Sequence, residues 1–175
     1  MKLDRFLADL GSQNGAPGGG AAAALVGATG AALVEMTARL NDKRLEHSSG
    51  NAARAAILRI QLTSLIHKDA IAFQKIKKNF PLRKKKPSLW QSALKNAAQP
   101  PLSICEKASV AAQLAKKEKG RTSDWLESDR RESLILLRAA FESAKLNVEI
   151  NLKGINDRAF VKTAQRKIRS WRSSL

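Results

Sequence analysis

Apolar residues recur at intervals of three and four along most of the chain, and this spacing predicts α-helices, not strands. Alanine is frequent and runs of β-branched residues are few, which also favours helices. The segment LDRFLADL predicts a short amphipathic helix that ends at Gly11, and the turn-forming residues SQNGAPGG follow it. No segment of the sequence predicts a strand.

Longer helices are predicted over residues 20–40, 49–79, 88–98, 101–120, 128–152 and 156–172. Pro100 and Pro101 are expected to end one helix and start the next, because proline is tolerated in the first turn of a helix but disrupts its interior. Short connections join the long helices. We therefore predict an all-α fold, a compact antiparallel helical bundle of about six or seven helices, formed by one domain over residues 1–175.

The helix predicted over residues 20–40 has a face of small residues. Gly20, Ala24, Ala28 and Ala32 lie four apart on it, and another helix backbone can approach such a face closely. The stretch from residue 10 to 34 carries no charge, but glycine and alanine dominate it. It is therefore too weakly apolar to predict a membrane span, and we expect no membrane partner.

The composition restricts the cellular compartment and the class of binding partner that we expect. The 175 residues include 32 Lys and Arg against 15 Asp and Glu, a formal net charge of +17. Such an excess predicts attraction to polyanions: nucleic acid, anionic lipid or a small molecule with several carboxylates. The most basic segment, residues 75–86, lacks the aromatic interleaving of a single-strand binder and is interpreted as a solvated face. The single cysteine, Cys105, excludes a disulfide framework and favours a reducing cytoplasm.

A carboxylate occupies an apolar position in the helix predicted over residues 49–79. At about 100° per residue, one narrow stripe of this helix contains Leu58, Leu62, Leu65, Asp69, Phe73, Ile76 and Phe80. Burying Asp69 without a partner costs several kcal/mol, so its carboxylate must pair, shift its pKa or face a cavity. Two interpretations stay open: a structural ion pair with an arginine, or a general acid or base in a pocket of the bundle.

Other candidate residues lie at helix ends. The glycine-rich turn at residues 16–20 opens directly into a helix, where backbone N–H groups can bind an anion or simply allow close packing. Asp129 follows Ser128 at a predicted helix start, where capping is the ordinary role of both residues. Asn147 and Asn151 lie four apart and could orient a heterocyclic ligand or bond across helices. No Cys, His and carboxylate cluster has metal-ligand spacing, so no metal is predicted.

Five motifs follow one another along nearly the whole chain. They are FLADLGSQNGAPGGGAAAALVGATGAALVEM near the start, DAIAF from Asp69, PLSICE from Pro101, the pair Ser128 and Asp129, and NVEINLKGIND from Asn147. In this order they resemble the cyclodeaminase/cyclohydrolase family of folate one-carbon metabolism. The PGGG turn, D-x-x-A-F and N-V-x-I-N-L are specific only in combination.

The resemblance implies a helical protein that assembles through its helices as a homodimer or higher homo-oligomer, uses no cofactor and acts on a tetrahydrofolate derivative. One implied activity converts 5-formiminotetrahydrofolate to 5,10-methenyltetrahydrofolate with loss of ammonia. The other hydrolyses the methenyl compound to 10-formyltetrahydrofolate. The family's catalytic aspartate corresponds to Asp69, which the apolar stripe selects for an independent reason.

The same resemblance supplies further site residues. Those implied to shape the folate pocket are Gly18, Gly19, Gly20, Lys43, Asp129 and Asn147. The glutamate tail of folates, often extended to polyglutamate, is an anion that a basic surface would capture. Arg130, Arg131 and Glu132 stand where family members have small and apolar residues, so a divergent, weakened or non-catalytic member remains an alternative. The net charge leaves a second alternative, a basic protein that uses the same bundle to bind nucleic acid or an acidic partner.

Overall fold

The computed structural model describes residues 2–175. Over this range the chain forms six α-helices and one short 3₁₀ helix, with no strand: α1 (Leu3–Leu10), α2 (Gly19–Leu45), α3 (Asn51–Asn79), the 3₁₀ helix (Phe80–Leu82), α4 (Pro87–Lys117), α5 (Asp124–Leu152) and α6 (Arg158–Arg172). The prediction of an all-α bundle is confirmed. The helices α1 and α3 begin and end within two residues of their predicted bounds.

The long helix α2 lies between α3 and α5, and both approach it closely because its contact face is small. A Cβ atom on Gly27 would lie 3.2 Å from Leu62 of α3 and 3.4 Å from Ala140 of α5. On Gly30 it would lie 2.8 Å from Leu137 of α5. The small-residue face therefore serves packing within one chain.

By length and composition alone, α2 is apolar enough to cross a membrane, so the expectation that this stretch is too weakly apolar was wrong. However, 56% of its most apolar window is buried inside the bundle. Burial against α3 and α5 accounts for its apolar character, as it does in the core helix of any bundle.

The helix α4 is continuous, so the prediction that Pro100 and Pro101 separate two helices was wrong. Both prolines are buried in the helix interior, where tertiary packing outweighs their unfavourable helix propensity. Each proline lacks the N–H that would bond to the carbonyl four residues earlier. The carbonyl of Asn96 lies at an exposed residue, where water can reach it. The carbonyl of Ala97 instead accepts a hydrogen bond from the Asn151 side chain, 3.1 Å away.

The helix α5 begins at Asp124, about one turn earlier than predicted. Ser123 occupies the N-cap position, so the interpretation of Asp129 as a cap is wrong. The extra turn is stabilised from within: Arg130 is buried, pairs with Glu127 at 2.6 Å and donates to the Ala115 carbonyl of α4 at 3.3 Å. This long-range contact fixes a helix start that the local sequence does not show.

The last helix, α6, lies along α4 and runs parallel to it. At its start, Asp157 accepts from the Phe160 backbone N–H at 3.0 Å and pairs with Lys95 of α4 at 2.7 Å. Near its end, the Trp171 carbonyl accepts from Ser109 of α4 at 3.0 Å. The neighbouring pairs among α2, α3, α4 and α5 are antiparallel as predicted, and α6 departs from that pattern.

A buried polar cluster closes one end of the bundle. Glu118, near the end of α4, has no solvent exposure. Its carboxylate accepts from the side-chain amides of Asn41 in α2 and Asn51 in α3, each at 2.7 Å, and from the Ser49 hydroxyl at 3.2 Å. The Arg121 guanidinium lies 3.4 Å from the same carboxylate. Four chain segments are thus joined through one carboxylate.

Candidate active site

At the other end of the bundle, the beginning of α2, the later part of α3, the first half of α4 and the end of α5 enclose a cavity of about 390 Å³. Asp69 is the one ionisable side chain among its lining residues, which are Gly15, Gly18, Gly19, Gly20, Asp69, Ala72, Phe73, Ile76, Ala97, Asn147, Ile150 and Asn151. Asparagine amides and backbone N–H groups supply the other polar groups. The mouth is apolar, since Phe73 and Ile150 are both exposed.

Asp69 projects from α3 onto the first turn of α2. A Cβ atom on Gly20 would lie 2.5 Å from Asp69 Oδ2 and closer still to Oδ1. Real Cβ atoms essentially never come this close to another heavy atom. The carboxylate can therefore occupy this position only because residue 20 is glycine. The positive end of the α2 dipole faces the same group.

The environment of Asp69 raises the pKa of its carboxyl group above the ordinary value. Burial is the larger cause, and a hydrogen bond from the Ala21 backbone N–H acts in the opposite direction. No ion pair within residues 2–175 includes Asp69. The structural ion pair considered for this residue is thus not what holds it, and the carboxylate faces the cavity.

Two asparagine amides of α5 face the same cavity. Asn147 donates from Nδ2 to the Ser143 carbonyl at 2.9 Å, and Asn151 donates from Nδ2 to Ala97 at 3.1 Å. A Cβ on Gly19 would lie 3.6 Å from both Nδ2 and Oδ1 of Asn147, so the α2 turn and this amide are in contact. Each amide keeps its oxygen available to a ligand, because its nitrogen is the anchored atom.

A larger cavity, of about 580 Å³, lies between α5 and α6. It is lined by none of the residues that the sequence singled out as a candidate site. Among its charged groups, Lys145 and Glu149 form a partly exposed ion pair at 3.5 Å. We take the smaller cavity as the candidate active site, because it contains a half-buried carboxylate without a cationic partner among the described residues.

Comparison with known proteins gives a consistent result. Residues 2–170 match the Formiminotransferase-cyclodeaminase family. The chain belongs to this family. A methenyltetrahydrofolate cyclohydrolase of Methylorubrum extorquens is 34% identical over 173 residues, which cover 90% of this chain and 82% of that protein. The formimidoyltransferase-cyclodeaminase of Rattus norvegicus is 31% identical over 96% of this chain, but the chain spans only 34% of that protein.

The fold comparison agrees with the family assignment. The crystal structure of a formiminotetrahydrofolate cyclodeaminase from Thermotoga maritima superposes with a TM-score of 0.90 at 29% sequence identity. The match covers 99% of this chain and 89% of the other. The whole bundle of this family member, with the cavity at one end, therefore has the architecture of a solved cyclodeaminase.

Six of the residues selected from the sequence meet at this cavity: Asp69, the three glycines 18–20, Asn147 and Asn151. The two others do not. Lys43 is exposed near the end of α2, about 35 Å along the helix from its first turn at 1.5 Å per residue. Asp129 lies 18 residues before Asn147 in α5, roughly 27 Å away by the same rise. Within one chain, neither reaches the cavity that this family member forms.

Sequence reasoning missed part of the lining. The stripe on α3 already pointed to Phe73 and Ile76, but as buried core residues, whereas Phe73 is 44% exposed at the cavity mouth. Ile150, 66% exposed, and Ala97 gave no signal. Asn151 was already a candidate from its spacing of four from Asn147, but only the fold shows its contact with α4.

Proposed function

We propose that the protein is a folate one-carbon enzyme that acts on the carbon bridging N5 and N10 of tetrahydrofolate, as a formiminotetrahydrofolate cyclodeaminase or a methenyltetrahydrofolate cyclohydrolase. The observation that carries the proposal is the Asp69 carboxylate, half-buried against the first turn of α2 with no cationic partner among residues 2–175. The similarity to the cyclohydrolase and cyclodeaminases supports the substrate class.

In the deaminase reaction, N10 attacks the formimino carbon carried by N5, and a C–N bond forms while ammonia leaves. Asp69 takes the proton from N10 and returns a proton to the departing nitrogen. In the hydrolase reaction, water attacks the methenyl carbon and Asp69 takes one of its protons. Asp69 then donates that proton to N5 as the C–N5 bond breaks, and the remaining hydroxyl proton leaves to solvent as the formyl C=O forms. General acid–base help of this kind contributes roughly 10²- to 10⁴-fold to rate.

The raised pKa of Asp69 suits both of its proposed roles, as a base that takes a proton and as an acid that returns one. A carboxylate with a raised pKa is a stronger base when ionised, and a larger fraction of it is protonated, and so able to donate, near neutral pH. Its negative charge also stabilises the amidinium cation that both reactions share, and this stabilisation is greater where water is excluded.

The apolar mouth fits the rest of a folate. N10 is bonded directly to the aminobenzoyl ring, so a substrate with its reacting carbon at Asp69 must place that ring within a few ångströms. Phe73 lies one turn after Asp69 on the same face of α3, about 5–6 Å away between Cβ atoms. Ile150 faces it across the mouth. We assign these two side chains to the aminobenzoyl ring.

The assay follows the absorbance of the methenyl group with each substrate separately, for wild type and Asp69→Asn. Appearance of the chromophore from the formimino compound identifies the deaminase, and its enzyme-dependent loss from the methenyl compound identifies the hydrolase. We expect Asp69→Asn to lose at least 100-fold in kcat with unchanged helicity. Full turnover by this variant, or no turnover of either substrate by wild type, would contradict the proposal.

We also propose that a polyglutamate tail leaves the mouth over exposed cations. Lys77 follows Phe73 by one turn of α3, and Lys153 follows Ile150 by three residues; both are exposed. Charge reversal at both positions should raise KM for a polyglutamylated substrate more than for the monoglutamate, and added salt should reduce the difference. Reversal of Lys117 and Lys119, at the far end of α4, is the matched control. Equal effects of the two pairs would count against this tail path.

A homodimer is the assembly that we propose, through the outer face of α2. This face carries an uncharged stripe that is at least partly accessible in the single chain. The stripe consists of Leu25, Thr29, Leu33, Met36 and Leu40. Thr29→Arg should shift the molar mass in light scattering from dimer to monomer, whereas Thr163→Arg, on the outside of α6, should not. A wild-type monomer, or a dimer insensitive to Thr29→Arg, would refute this interface.

A further inference from the structure

The two prolines inside α4 interrupt its backbone hydrogen bonding beside the cavity. Pro101 has no N–H to donate to the carbonyl of Ala97, four residues earlier, and its ring crowds that carbonyl. Ala97 is buried and lines the cavity, so water from the bulk does not easily replace the missing donor. A buried carbonyl without a donor costs free energy. In this structure the donor is the side chain of Asn151.

This hydrogen bond determines which atom of Asn151 faces the ligand. A carbonyl can only accept, so the atom next to Ala97 must be the amide nitrogen of Asn151, and Oδ1, the other terminal atom of the amide, is left to accept from a ligand. Asn147, one turn earlier on the same helix, is anchored through its nitrogen as well, to Ser143. With the carboxylate of Asp69, the cavity thus presents three side-chain acceptors.

We propose that Pro101 is a positioning residue for substrate: it leaves the Ala97 carbonyl free to anchor the Asn151 amide, whose oxygen accepts a hydrogen bond from an N–H group of the bound pterin ring. This inference rests on the proposed function, because the pterin is the part of a folate that carries ring N–H and amino donors. It assigns Asn151 to substrate binding and explains a proline in a helix interior.

The neighbouring proline provides a matched control. Pro100 is also buried in the interior of α4, and its ring removes the bond to the Asn96 carbonyl. Asn96 is exposed, and its carbonyl anchors no cavity residue among those described. Pro100→Ala and Pro101→Ala are therefore equivalent changes, since each restores one backbone N–H and removes one proline ring. Only Pro101→Ala affects the carbonyl that Asn151 contacts.

The experiment compares wild type, Pro100→Ala, Pro101→Ala, Asn151→Ala and the double variant Pro101→Ala/Asn151→Ala. For each, KM and kcat are measured with the substrate that wild type turns over, together with the inhibition constant of a tetrahydropterin lacking the aminobenzoylglutamate group. Thermal unfolding verifies that each variant is folded. The backbone N–H that Pro101→Ala restores would compete for the Ala97 carbonyl and loosen the amide of Asn151.

We expect Pro101→Ala and Asn151→Ala to raise KM and the tetrahydropterin inhibition constant by roughly two- to tenfold, the range of one hydrogen bond, with a smaller change in kcat. Pro100→Ala should leave both constants within about twofold of wild type. In the Asn151→Ala background, Pro101→Ala should add nothing, since the two residues act through one contact.

Three results would overturn the inference: unchanged constants in Asn151→Ala, equal effects of the two proline variants, or additive effects in the double variant. These outcomes are distinct from failure of the proposed function. If wild type turns over a folate and Asp69→Asn does not, the proposed function stands even when the proline and asparagine variants behave like wild type.

Discussion

Substitution of Gly20 by alanine is a sharp test of the site, because it adds one methyl group at the Asp69 carboxylate. That Cβ would lie 2.5 Å from Asp69 Oδ2 and closer to Oδ1, whereas ordinary contact begins at 3.4 Å. The carboxylate must therefore retreat by about 1 Å or more. A displacement of this size at a catalytic group costs on the order of 100-fold in rate, which corresponds to about 2.7 kcal/mol of transition-state stabilisation.

The fold should tolerate this change. Gly20 lies in the first turn of α2 and does not have a positive φ, so alanine fits the backbone, and alanine is the better helix former by up to about 1 kcal/mol. Gly11→Ala is the matched control, since Gly11 does not line the cavity and its Cβ would lie 3.5 Å from the nearest heavy atom, the Leu7 carbonyl oxygen, an ordinary contact. We thus expect a folded, inactive variant beside a folded, active one.

The assay is the methenyl absorbance change, with kcat and KM measured across pH, and circular dichroism follows helicity and thermal unfolding. We expect kcat/KM of Gly20→Ala to fall about 100-fold with an unchanged helical signal, and Gly11→Ala to stay within a few-fold of wild type. Wild-type kcat/KM and an unchanged pH profile in Gly20→Ala would refute the placement of the catalytic carboxylate against α2.

Three further predictions concern stability and reactivity. Because burial raises the pKa of Asp69, the native state binds the carboxyl proton more tightly than the unfolded chain does, and ionisation of Asp69 lowers stability at neutral pH. Asp69→Asn should therefore unfold at a higher urea concentration than wild type at pH 7. The difference should vanish as the pH falls below the pKa of the unfolded chain, near 3.8. A less stable variant at pH 7 would contradict this. Glu118→Ala should lose about 3 kcal/mol in urea unfolding, because the buried side-chain amides of Asn41 and Asn51 lose their charged acceptor; a loss under about 1 kcal/mol would mean that the cluster contributes little. Burial raises the pKa of the Cys105 thiol to about 12, so a thiol reagent at pH 8 should label Cys105 only in urea; rapid labelling of the native protein would show that the core opens locally.

The sequence predicted most of the helical architecture for a physical reason. Strong local signals predict helices α1 and α3: Gly11 ends α1, and apolar residues recur at helical spacing along the whole of α3. The continuity of α4 through Pro100 and Pro101, and the early start of α5, depend instead on contacts between distant segments. Local propensity costs of a few kcal/mol are smaller than the burial that a long helix gains in a bundle.

The sequence predicted the part of the site that departs from the apolar pattern of its helix. Asp69 interrupts an apolar stripe, so the sequence alone points to it. The requirement for glycine at position 20 and the anchor of Asn151 on Ala97 are relations between helices, and no periodicity encodes them. Lys43 was implied by the resemblance alone, and Asp129 by the resemblance and its place at a predicted helix start; within one chain the fold places both far from the cavity.

The positive charges of the chain are absent from the lining of this cavity. The protein carries a net +17, yet Asp69 is the one charged side chain among the residues that line the cavity. A lysine or arginine within about 4–6 Å would lower the pKa of Asp69 by about 1–3 units and weaken it as a base. It would also repel the amidinium cation of the proposed substrate. A strongly basic protein can therefore use a carboxylate as an unpaired base only if the fold keeps its cations away from that carboxylate. The glycines of α2, the alanines and the two asparagines that surround Asp69 do this, while Lys77 and Lys153 lie outside the mouth, where they can still attract an anionic tail.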